Sequence, residues 1–224
     1  MAYSTGGRRG YGFPVTGVQV RRATPMDAAV LAQVAAVTFP LACPPHTTDE
    51  AKRAFIAANL SESNFEAYLA DPARLLLVGE DEHGALGYTM LVFGEPADAD
   101  VAAALTRRPT VELSKCYALP RAHGTGAASE LMTASLAAAA AWEAGDRPVA
   151  AWLGVNQENE RAQRFYVKHG FVRVGVKRFL VGDRYEDDFV YERALEPESE
   201  PVAAESAPVA AAARSAVAAD LTAS

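Results

Sequence analysis

The stretch LPRAHGTGAASELM, residues 119–132, decides how the fold of this chain is interpreted. The strand pattern TVELSKCYAL, residues 110–119, runs into it, and a helical pattern follows without a break. Between them lies a turn of small residues, where backbone N–H groups can converge and the first helical turn adds unpaired donors and the positive end of its dipole. This layout is typical of a phosphate site and also of ordinary strand-to-helix packing. The stretch by itself leaves both interpretations open.

Length and charge limit the class of protein. A chain of 224 residues, half of them hydrophobic, favours one domain with tails. The formal net charge of −7 argues against nucleic acid as the main partner, because phosphate backbones attract clustered Lys and Arg, and it suits a cationic substrate.

Cysteine spacing and hydropathy predict the compartment. Cys43 and Cys116 lie far apart and show no metal-ligand spacing, so we expect a reduced cytoplasmic protein without a metal site. No segment is expected to approach the 18 apolar residues of a membrane span, and the N-terminus has no apolar run typical of a signal peptide. The sequence therefore predicts no membrane partner.

The two ends of the chain differ in composition from its middle. Residues 1–14 form a Gly-rich arm with nothing to bury, which we expect to be disordered. Residues 196–224 are rich in Ala, Pro, Glu and Ser without apolar periodicity, which is typical of a low-complexity tail. The predicted domain covers residues 15–195.

The first half of this domain alternates between strand and helix signals. A short strand is expected near residues 18–20, followed by a helix over residues 26–37 that Thr24 caps. The three prolines of residues 39–46 are expected to end that helix, and Thr48 begins two short helices over residues 50–70. Carboxylates on a helix surface are usually solvated, but those of these two helices could instead face a substrate amine. They belong to Asp49, Glu50, Glu62, Glu66 and Asp71.

The second half predicts the sheet. A hairpin is expected over residues 75–93, a loop with a helical turn over 96–108, and strands over 110–119, 149–155, 171–179 and 187–194. Helices run from the small-residue turn to residue 143 and from Asn159 to residue 169. The strand-helix-strand unit over residues 110–155 must be parallel, so we predict an α/β fold with a mixed, mostly antiparallel sheet, a central parallel β-α-β unit and flanking helices. Ligands enter such sheets where parallel strands diverge.

Two motifs at matching spacing carry a resemblance to a known family. The first is the stretch 119–132, and the second combines WLGV at 152–155, Asn159, Ala162, FY at 165–166, Lys168 and GF at 170–171. Together they resemble the GNAT acetyltransferase superfamily over about residues 18–195, which implies a GNAT-type fold. Within the superfamily, four segments are most similar to PaiA-like spermine/spermidine acetyltransferases: the run 112–117, WLGV at 152–155, GFVRVG at 170–175 and FLVGD at 179–183.

The resemblance implies acetyl-CoA as cosubstrate, without a metal. Its pyrophosphate would lie on the backbone amides of six consecutive residues: His123, Gly124, Thr125, Gly126, Ala127 and Ala128. Family members usually have Gln or Arg where this chain has His123, and an imidazole supplies less charge to a phosphate.

The same resemblance assigns the rest of the cofactor contacts. The backbone of Cys116, Tyr117 and Ala118 would bind the pantetheine arm as another strand, and an amide there would polarise the thioester carbonyl. Asn159 would orient the cofactor or a water as well as cap its helix, and Lys168 belongs to the same cofactor-binding motif.

Two residues are predicted to be catalytic. Tyr166 would donate a proton to the departing thiolate, although Phe165 and Tyr166 also fit the buried face of a helix. A protonated amine with a pKa near ~10 must lose a proton before it attacks, and Glu112 stands where some family members carry a glutamate base. An ordinary edge-strand surface carboxylate is the alternative for Glu112. Cys116 as a nucleophile is the less favoured alternative to a small apolar residue in a strand.

The predicted function is an acetyl-CoA-dependent N-acetyltransferase that acts by direct transfer on a small primary amine, with a polyamine as the first candidate. The alternatives are a peptide or protein amine acetyltransferase and a CoA-binding sensor without catalysis. Ribosomal-protein-type N-terminal acetyltransferases often have a glutamate where this chain has Gly154, which argues against that acceptor class. The turn lacks the Lys-Ser/Thr ending of a P-loop, so a simple nucleotide binder is disfavoured. A homodimer is left open.

Overall fold

A computed structural model of the chain describes residues 17–181 and 184–195. In that part the strands are β1 (Gln19–Arg22), β2 (Arg74–Asp81), β3 (Gly84–Phe93), β4 (Thr110–Ala118), β5 (Ala150–Asn156), β6 (Val172–Val181) and β7 (Arg184–Ala194). The α-helices are α1 (Ala28–Ala42), α2 (Asp49–Asn59), α3 (Glu62–Ala70), α4 (Ala99–Ala104), α5 (Ala127–Ala140) and α6 (Glu160–Lys168). The predicted arm, the predicted tail and both proposed domain boundaries reach beyond these residues, so the domain limits stay predictions.

All seven strands lie in one sheet of order β1-β2-β3-β4-β5-β7-β6. Every neighbouring pair is antiparallel except β4 and β5, which are parallel and joined by α5. The predicted fold class is confirmed: a mixed, mostly antiparallel sheet with a central parallel β-α-β unit and flanking helices.

The parallel pair separates soon after it forms. β4 and β5 pair at three positions, which end with Glu112 opposite Trp152, and both strands then continue without pairing to each other. On its other side β4 carries a β-bulge, because Leu91 of β3 faces Leu113 while Met90 faces Lys115, which leaves Ser114 as the extra residue. A bulge bends its strand and increases the local twist. The sheet therefore opens into a V, with the edge of β4 exposed along one arm.

Apolar side chains cover both faces of the sheet. On one face α5 packs against a cluster that includes Leu77, Leu113, Leu131 and Leu153. On the other face α1 and α3 pack against a second cluster, which includes Leu31, Phe65, Leu76 and Tyr88. Burying a leucine or phenylalanine side chain is worth about 1.5–3 kcal/mol, so these two clusters hold the V in place from both sides.

The end of α1 corrects the prediction that the prolines of residues 39–46 would end the helix. The helix runs through Pro40 to Ala42. Pro40 lies in the last turn of α1 and lacks the N–H group that would donate a helical hydrogen bond. Its neighbour Phe39 is buried, and the Phe39 ring stacks on the Phe55 ring of α2 with the ring centres 4.4 Å apart. Because this packing holds the turn in place, the loss of one donor is tolerated. The helix ends instead at Cys43, which is extended and precedes Pro44.

The same region corrects the expectation that no segment approaches a membrane span. The short 3-10 turn before α1 and α1 itself form an 18-residue helical segment, Pro25–Ala42, with a mean hydropathy of 1.4. Leu31, Val34 and Phe39 from this segment are buried in the core, so packing within the domain accounts for its apolar residues. Length and composition make it only weak evidence for a membrane span.

Candidate active site

The V between β4 and β5 contains a cavity of about 370 Å³. Its polar lining comes from β4, from β5 and the turn after it, from α6, and from the two last strands: Glu112, Ser114, Lys115, Cys116, Tyr117, Asn156, Asn159, Tyr166, Lys177 and Asp188. The sequence predicts a ligand site where the parallel strands diverge. The cavity lies at that point.

Helices α1 and α2 form a roof over the cavity. Phe39, Cys43, Phe55 and Asn59 line it from above, and the stacked rings of Phe39 and Phe55 join the two helices. The loop between these helices reaches the turn before α6, where Nδ1 of His46 lies 3.9 Å from Oε1 of Glu158. Helices α1 and α2 therefore cover part of the cavity.

Glu112 is the last residue of β4 that pairs with β5, and its side chain lines the cavity. Burial raises the pKa of its carboxyl group, and the positive charges of Lys177, Lys115 and Arg74 partly oppose that rise. β4 lies in the centre of the sheet between β3 and β5, so the alternative of an edge-strand surface carboxylate is wrong. A half-buried carboxylate with a raised pKa can accept a proton near neutral pH.

Tyr166 projects from α6 into the same cavity. The side chain of Asn159 caps this helix by accepting a hydrogen bond from the Ala162 amide at 3.1 Å, which sets the position of α6 relative to β5. The Tyr166 ring packs edge to face against Phe165 and Phe171, and burial raises its pKa well above the ordinary value. Within residues 17–181 and 184–195 its hydroxyl has no hydrogen-bond partner. The phenol is therefore protonated and able to donate.

The loop before α5 does not line the cavity but lies beyond the end of β4, at the N-terminus of the helix. Gly124 and Gly126 have positive φ angles of 81° and 91°. Across the described ranges the amides of Gly124, Gly126 and Ala128 donate to no protein acceptor, while the Ala127 amide reaches the Thr125 hydroxyl at 3.3 Å. The prediction of six free amides is corrected at His123 and Thr125, whose amides donate to the carbonyls of Pro120 and Ala122. Converging free amides at a helix N-terminus fit a pyrophosphate.

His123 is exposed at the start of this loop. Partial loss of solvent and the nearby charge of Arg161 lower the pKa of its imidazole, so the ring carries less positive charge near neutral pH than an unperturbed histidine. Arg161, in the first turn of α6, is a cation close to the loop that the sequence motifs do not identify. Only the packing of α6 beside the loop brings it there.

The remaining predicted cofactor residues divide into two groups. Cys116 and Tyr117 line the cavity along β4, and Ala118 ends that strand. Burial raises the pKa of the Cys116 thiol to about 12, which argues against Cys116 as a nucleophile because the thiolate is the reactive form. Lys168 is exposed in the last turn of α6 and is not brought to the cavity.

Lys115, Lys177 and Asp188 line the cavity, and the sequence motifs do not single them out. Lys177 and Asp188 come from β6 and β7, so only the strand order brings them here. A Cβ atom at Gly154 would lie 2.4 Å from Cε of Lys177 and 3.3 Å from an Asp188 carboxylate oxygen. Glycine at position 154 therefore makes room for the lysine.

The acidic residues of α2 and α3 do not reach the cavity. None of Asp49, Glu50, Glu62, Glu66 and Asp71 lines it, and Asp71 pairs with Arg74 at 2.9 Å. In the part of the chain that the structure describes, no group of three or more His, Cys, Asp or Glu side chains could hold a metal ion.

Comparison with known proteins identifies the same family in two ways, by a family match and by a related protein. Residues 40–171 match the acetyltransferase (GNAT) family. The chain is 47% identical over 169 residues to an uncharacterized N-acetyltransferase of Mycobacterium bovis, covering 75% of this chain and 98% of that protein.

Solved structures share the fold at lower identity. The PaiA N-acetyltransferase of Thermoplasma acidophilum in complex with coenzyme A has a TM-score of 0.60 and 16% identity, covering 79% of this chain and 98% of that one. The spermidine/spermine N-acetyltransferase SpeG of Vibrio cholerae has a TM-score of 0.53 and 17% identity, covering 80% of this chain and 94% of that one.

Proposed function

Because this chain belongs to the acetyltransferase (GNAT) family, and is an acetyl-CoA-dependent N-acetyltransferase, we propose that its acceptor is the primary amine of a small molecule. The observation that carries the proposal is the roofed cavity of about 370 Å³ that contains both Glu112 and Tyr166. Small-molecule sites usually occupy about 300–1,000 Å³, so the end of the cosubstrate and a small acceptor fill this space together.

The cosubstrate is proposed to lie along the open edge of β4. Acetyl-CoA supplies an acetyl group activated as a thioester. The free amides of Gly124, Gly126 and Ala128 would hold its pyrophosphate, and the unpaired edge of Cys116 to Ala118 would hold the pantetheine arm. His123 and Arg161 stand beside the phosphate position. Lys168, which is exposed outside the cavity, is left without an assigned contact.

Two side chains are proposed to move the protons. Glu112 accepts one proton from the ammonium form of the acceptor, so that the nitrogen lone pair can attack the acetyl carbon. As the nitrogen–carbon bond forms, the carbon–sulfur bond breaks and its electron pair leaves on sulfur, which takes the proton of the Tyr166 hydroxyl. The new amide nitrogen loses its second proton, which restores Tyr166, and Glu112 returns its proton to solvent. The net reaction releases one proton to solvent for each acetyl group transferred.

The nature of the acceptor follows from the size and charge of the cavity. The partial roof that α1 and α2 form over the cavity favours a small molecule over a peptide or protein chain. A polyamine, which the sequence resemblance predicts and which a structural neighbour acts on by its name, stays one candidate. Two lysines beside the two carboxylates weaken that candidate, because a polycation gains most from an excess of negative charge.

A thiol-release assay tests the proposed function. The purified chain is supplied with acetyl-CoA and with polyamines, amino acids, aminoglycosides or peptides with a free N-terminus. We expect small amines to accelerate thiol release well above the hydrolysis rate and peptides not to do so. Release with peptides alone would contradict the small-molecule acceptor. Acetyl-CoA binding without release for any acceptor would favour the sensor alternative. The cytoplasmic location and the possible homodimer stay predictions.

A further inference from the structure

Four charged side chains line the cavity between β4 and β5, and their charges balance. Glu112 and Asp188 are acidic, whereas Lys115 and Lys177 are basic. This balance is unusual for a site that receives only an ammonium ion, because each added lysine repels a cationic acceptor. Lys177 and Asp188 already have interactions within the described residues, so Lys115 is the positive side chain whose role is in question.

Lys115 is the more informative of the two lysines. Its side chain is half-buried, and its Nζ atom lies 5.4 Å from the centre of the Tyr68 ring. Over residues 17–181 and 184–195 it makes no ion pair and no hydrogen bond. Burial lowers the pKa of its ammonium group to about 8, partly offset by the charge of Glu112, so it is still mostly protonated at neutral pH. A charge removed from water without a close counter-ion is costly, and an anionic ligand group would remove that cost.

The bulge in β4 determines where Lys115 points. Without the bulge, residues 112 and 115 would lie on opposite faces of the strand, because side chains alternate along a strand. With Ser114 as the extra residue, Glu112 and Lys115 fall on the same face of β4, and both residues line the cavity. No nitrogen–oxygen distance between Glu112 and Lys115 falls within 4 Å, so they are neighbours in one cavity without being an ion pair. A ligand group can lie between them.

We propose that the acceptor is a small zwitterionic amine, whose amino group is received by Glu112 and whose carboxylate is received by Lys115. This inference rests on the proposed function, since it concerns the acceptor of the same transfer reaction. It assigns to Lys115 the selection of the acceptor rather than proton transfer. Lys177 lies against Gly154 with its Nζ 5.5 Å from the centre of the Trp152 ring, and its charge acts on Glu112.

Matched pairs of acceptors test the inference on the unmodified chain. Each pair is an amino acid and the amine that it yields on decarboxylation: L-lysine with cadaverine, L-ornithine with putrescine, and L-phenylalanine with phenethylamine. We expect kcat/KM to be at least about tenfold higher for the amino acid in one or more pairs. Consistent preference for the decarboxylated amines would overturn the inference and leave the proposed function standing.

Substitution of Lys115 separates acceptor selection from other roles. Lys115→Met keeps most of the apolar stem but removes the charge, and we expect it to raise KM for the preferred amino acid about tenfold while kcat and the values for the decarboxylated amine change little. Lys115→Arg keeps the charge and should retain the preference. An equal loss of kcat with both acceptors of a pair would show that Lys115 acts on the reaction or on the fold, and the inference would fail.

Calorimetry gives a readout that does not depend on turnover. The chain is first saturated with CoA, and each acceptor of a pair is then titrated in. We expect a measurable binding heat for the amino acid that disappears with Lys115→Met and persists with Lys115→Arg. Equal binding of both acceptors by the unmodified chain would overturn the inference. Absence of thiol release with every amine would instead refute the proposed function.

Discussion

Tyr166 and Glu112 lie in one cavity, and burial raises the pKa of both. The same physical cause has opposite chemical meaning for the two residues. A raised pKa keeps the phenol protonated and ready to donate, whereas it makes the carboxylate a stronger proton acceptor at neutral pH. One shared cavity can thus hold an acid and a base.

Tyr166→Phe is expected to reduce kcat by roughly 100-fold, because the departing sulfur loses its proton donor while the ring packing on Phe165 and Phe171 is kept. Steady-state kinetics and calorimetry with acetyl-CoA measure the two effects separately. The affinity for acetyl-CoA should change by less than about twofold, since binding does not use the phenolic proton. The matched control is Tyr185→Phe, at an exposed tyrosine outside the cavity. Unchanged turnover in Tyr166→Phe would remove this residue as the acid.

Glu112 is expected to determine the acid limb of the pH profile. A base acts only when ionised, so kcat/KM should fall as the pH decreases through the raised pKa of Glu112, at a higher pH than an ordinary glutamate, whose pKa is about 4.3. Glu112→Gln should lower kcat/KM by roughly 100-fold and abolish this limb. The pH dependence of the rate from pH 5 to pH 9 provides the measurement. The control is Glu62→Gln, which removes an exposed carboxylate of α3. If Glu112→Gln and the unmodified chain had the same pH profile, the acid limb would belong to another group.

At the scale of elements, the proposed site has two halves, the start of α5 and the bulge of β4. The start of α5 presents free amides beyond the end of the strand, and the bulge turns Lys115 toward the cavity. The first feature was predicted from small residues in sequence. The second was not, because a bulge depends on how β3 and β4 pair and leaves no distinct residue pattern in SKC at 114–116.

Gly126→Ala is expected to weaken acetyl-CoA binding about tenfold. Gly126 has a φ of 91°, which an alanine adopts only with strain, so the loop would shift and its amides would no longer converge. Calorimetry measures the affinity, and thermal unfolding measures the cost to the fold, about 1 kcal/mol. Gly94→Ala is the matched control, because Gly94 also has a positive φ, of 129°, and lies at the end of β3 away from the loop. Equal affinity for acetyl-CoA in Gly126→Ala and the unmodified chain would contradict the loop assignment.

At the scale of the whole molecule, the sheet and its helices form one unit from β1 to β7, with core clusters on both faces. The cavity draws residues from nearly the full length of this unit, from Phe39 on α1 to Asp188 on β7. Activity is therefore expected to depend on the integrity of the whole sheet. From their composition we expect the predicted arm and tail to lie outside this dependence.

A chain trimmed to residues 15–195 is expected to keep the melting temperature within about 2 °C and kcat within about twofold of the full chain. The reason is that residues 1–14 and 196–224 show no apolar periodicity that could pack on the sheet. Scanning calorimetry and the thiol-release assay make the comparison. A shorter chain that ends at residue 185 lacks most of β7, which pairs with both β5 and β6, and should not fold. A large loss of activity in the 15–195 chain would place part of the site in the arm or the tail.

Local patterns in the sequence were sufficient for the fold class and the family, because these depend on strand and helix periods and on two motifs at a set spacing. The predicted end of α1 was wrong at Pro40. The helix continues past this residue, which ordinarily ends helices, because Phe39 packs on Phe55. The charge of the cavity between β4 and β5 emerged only from the folded chain. Lys115 reaches it through a bulge, and Lys177 and Asp188 reach it from strands that come last in the sequence. The net charge of the cavity is the sum of the charges of side chains that lie far apart in the sequence. Strand pairing and core packing bring these side chains together, so the sequence alone does not determine this charge.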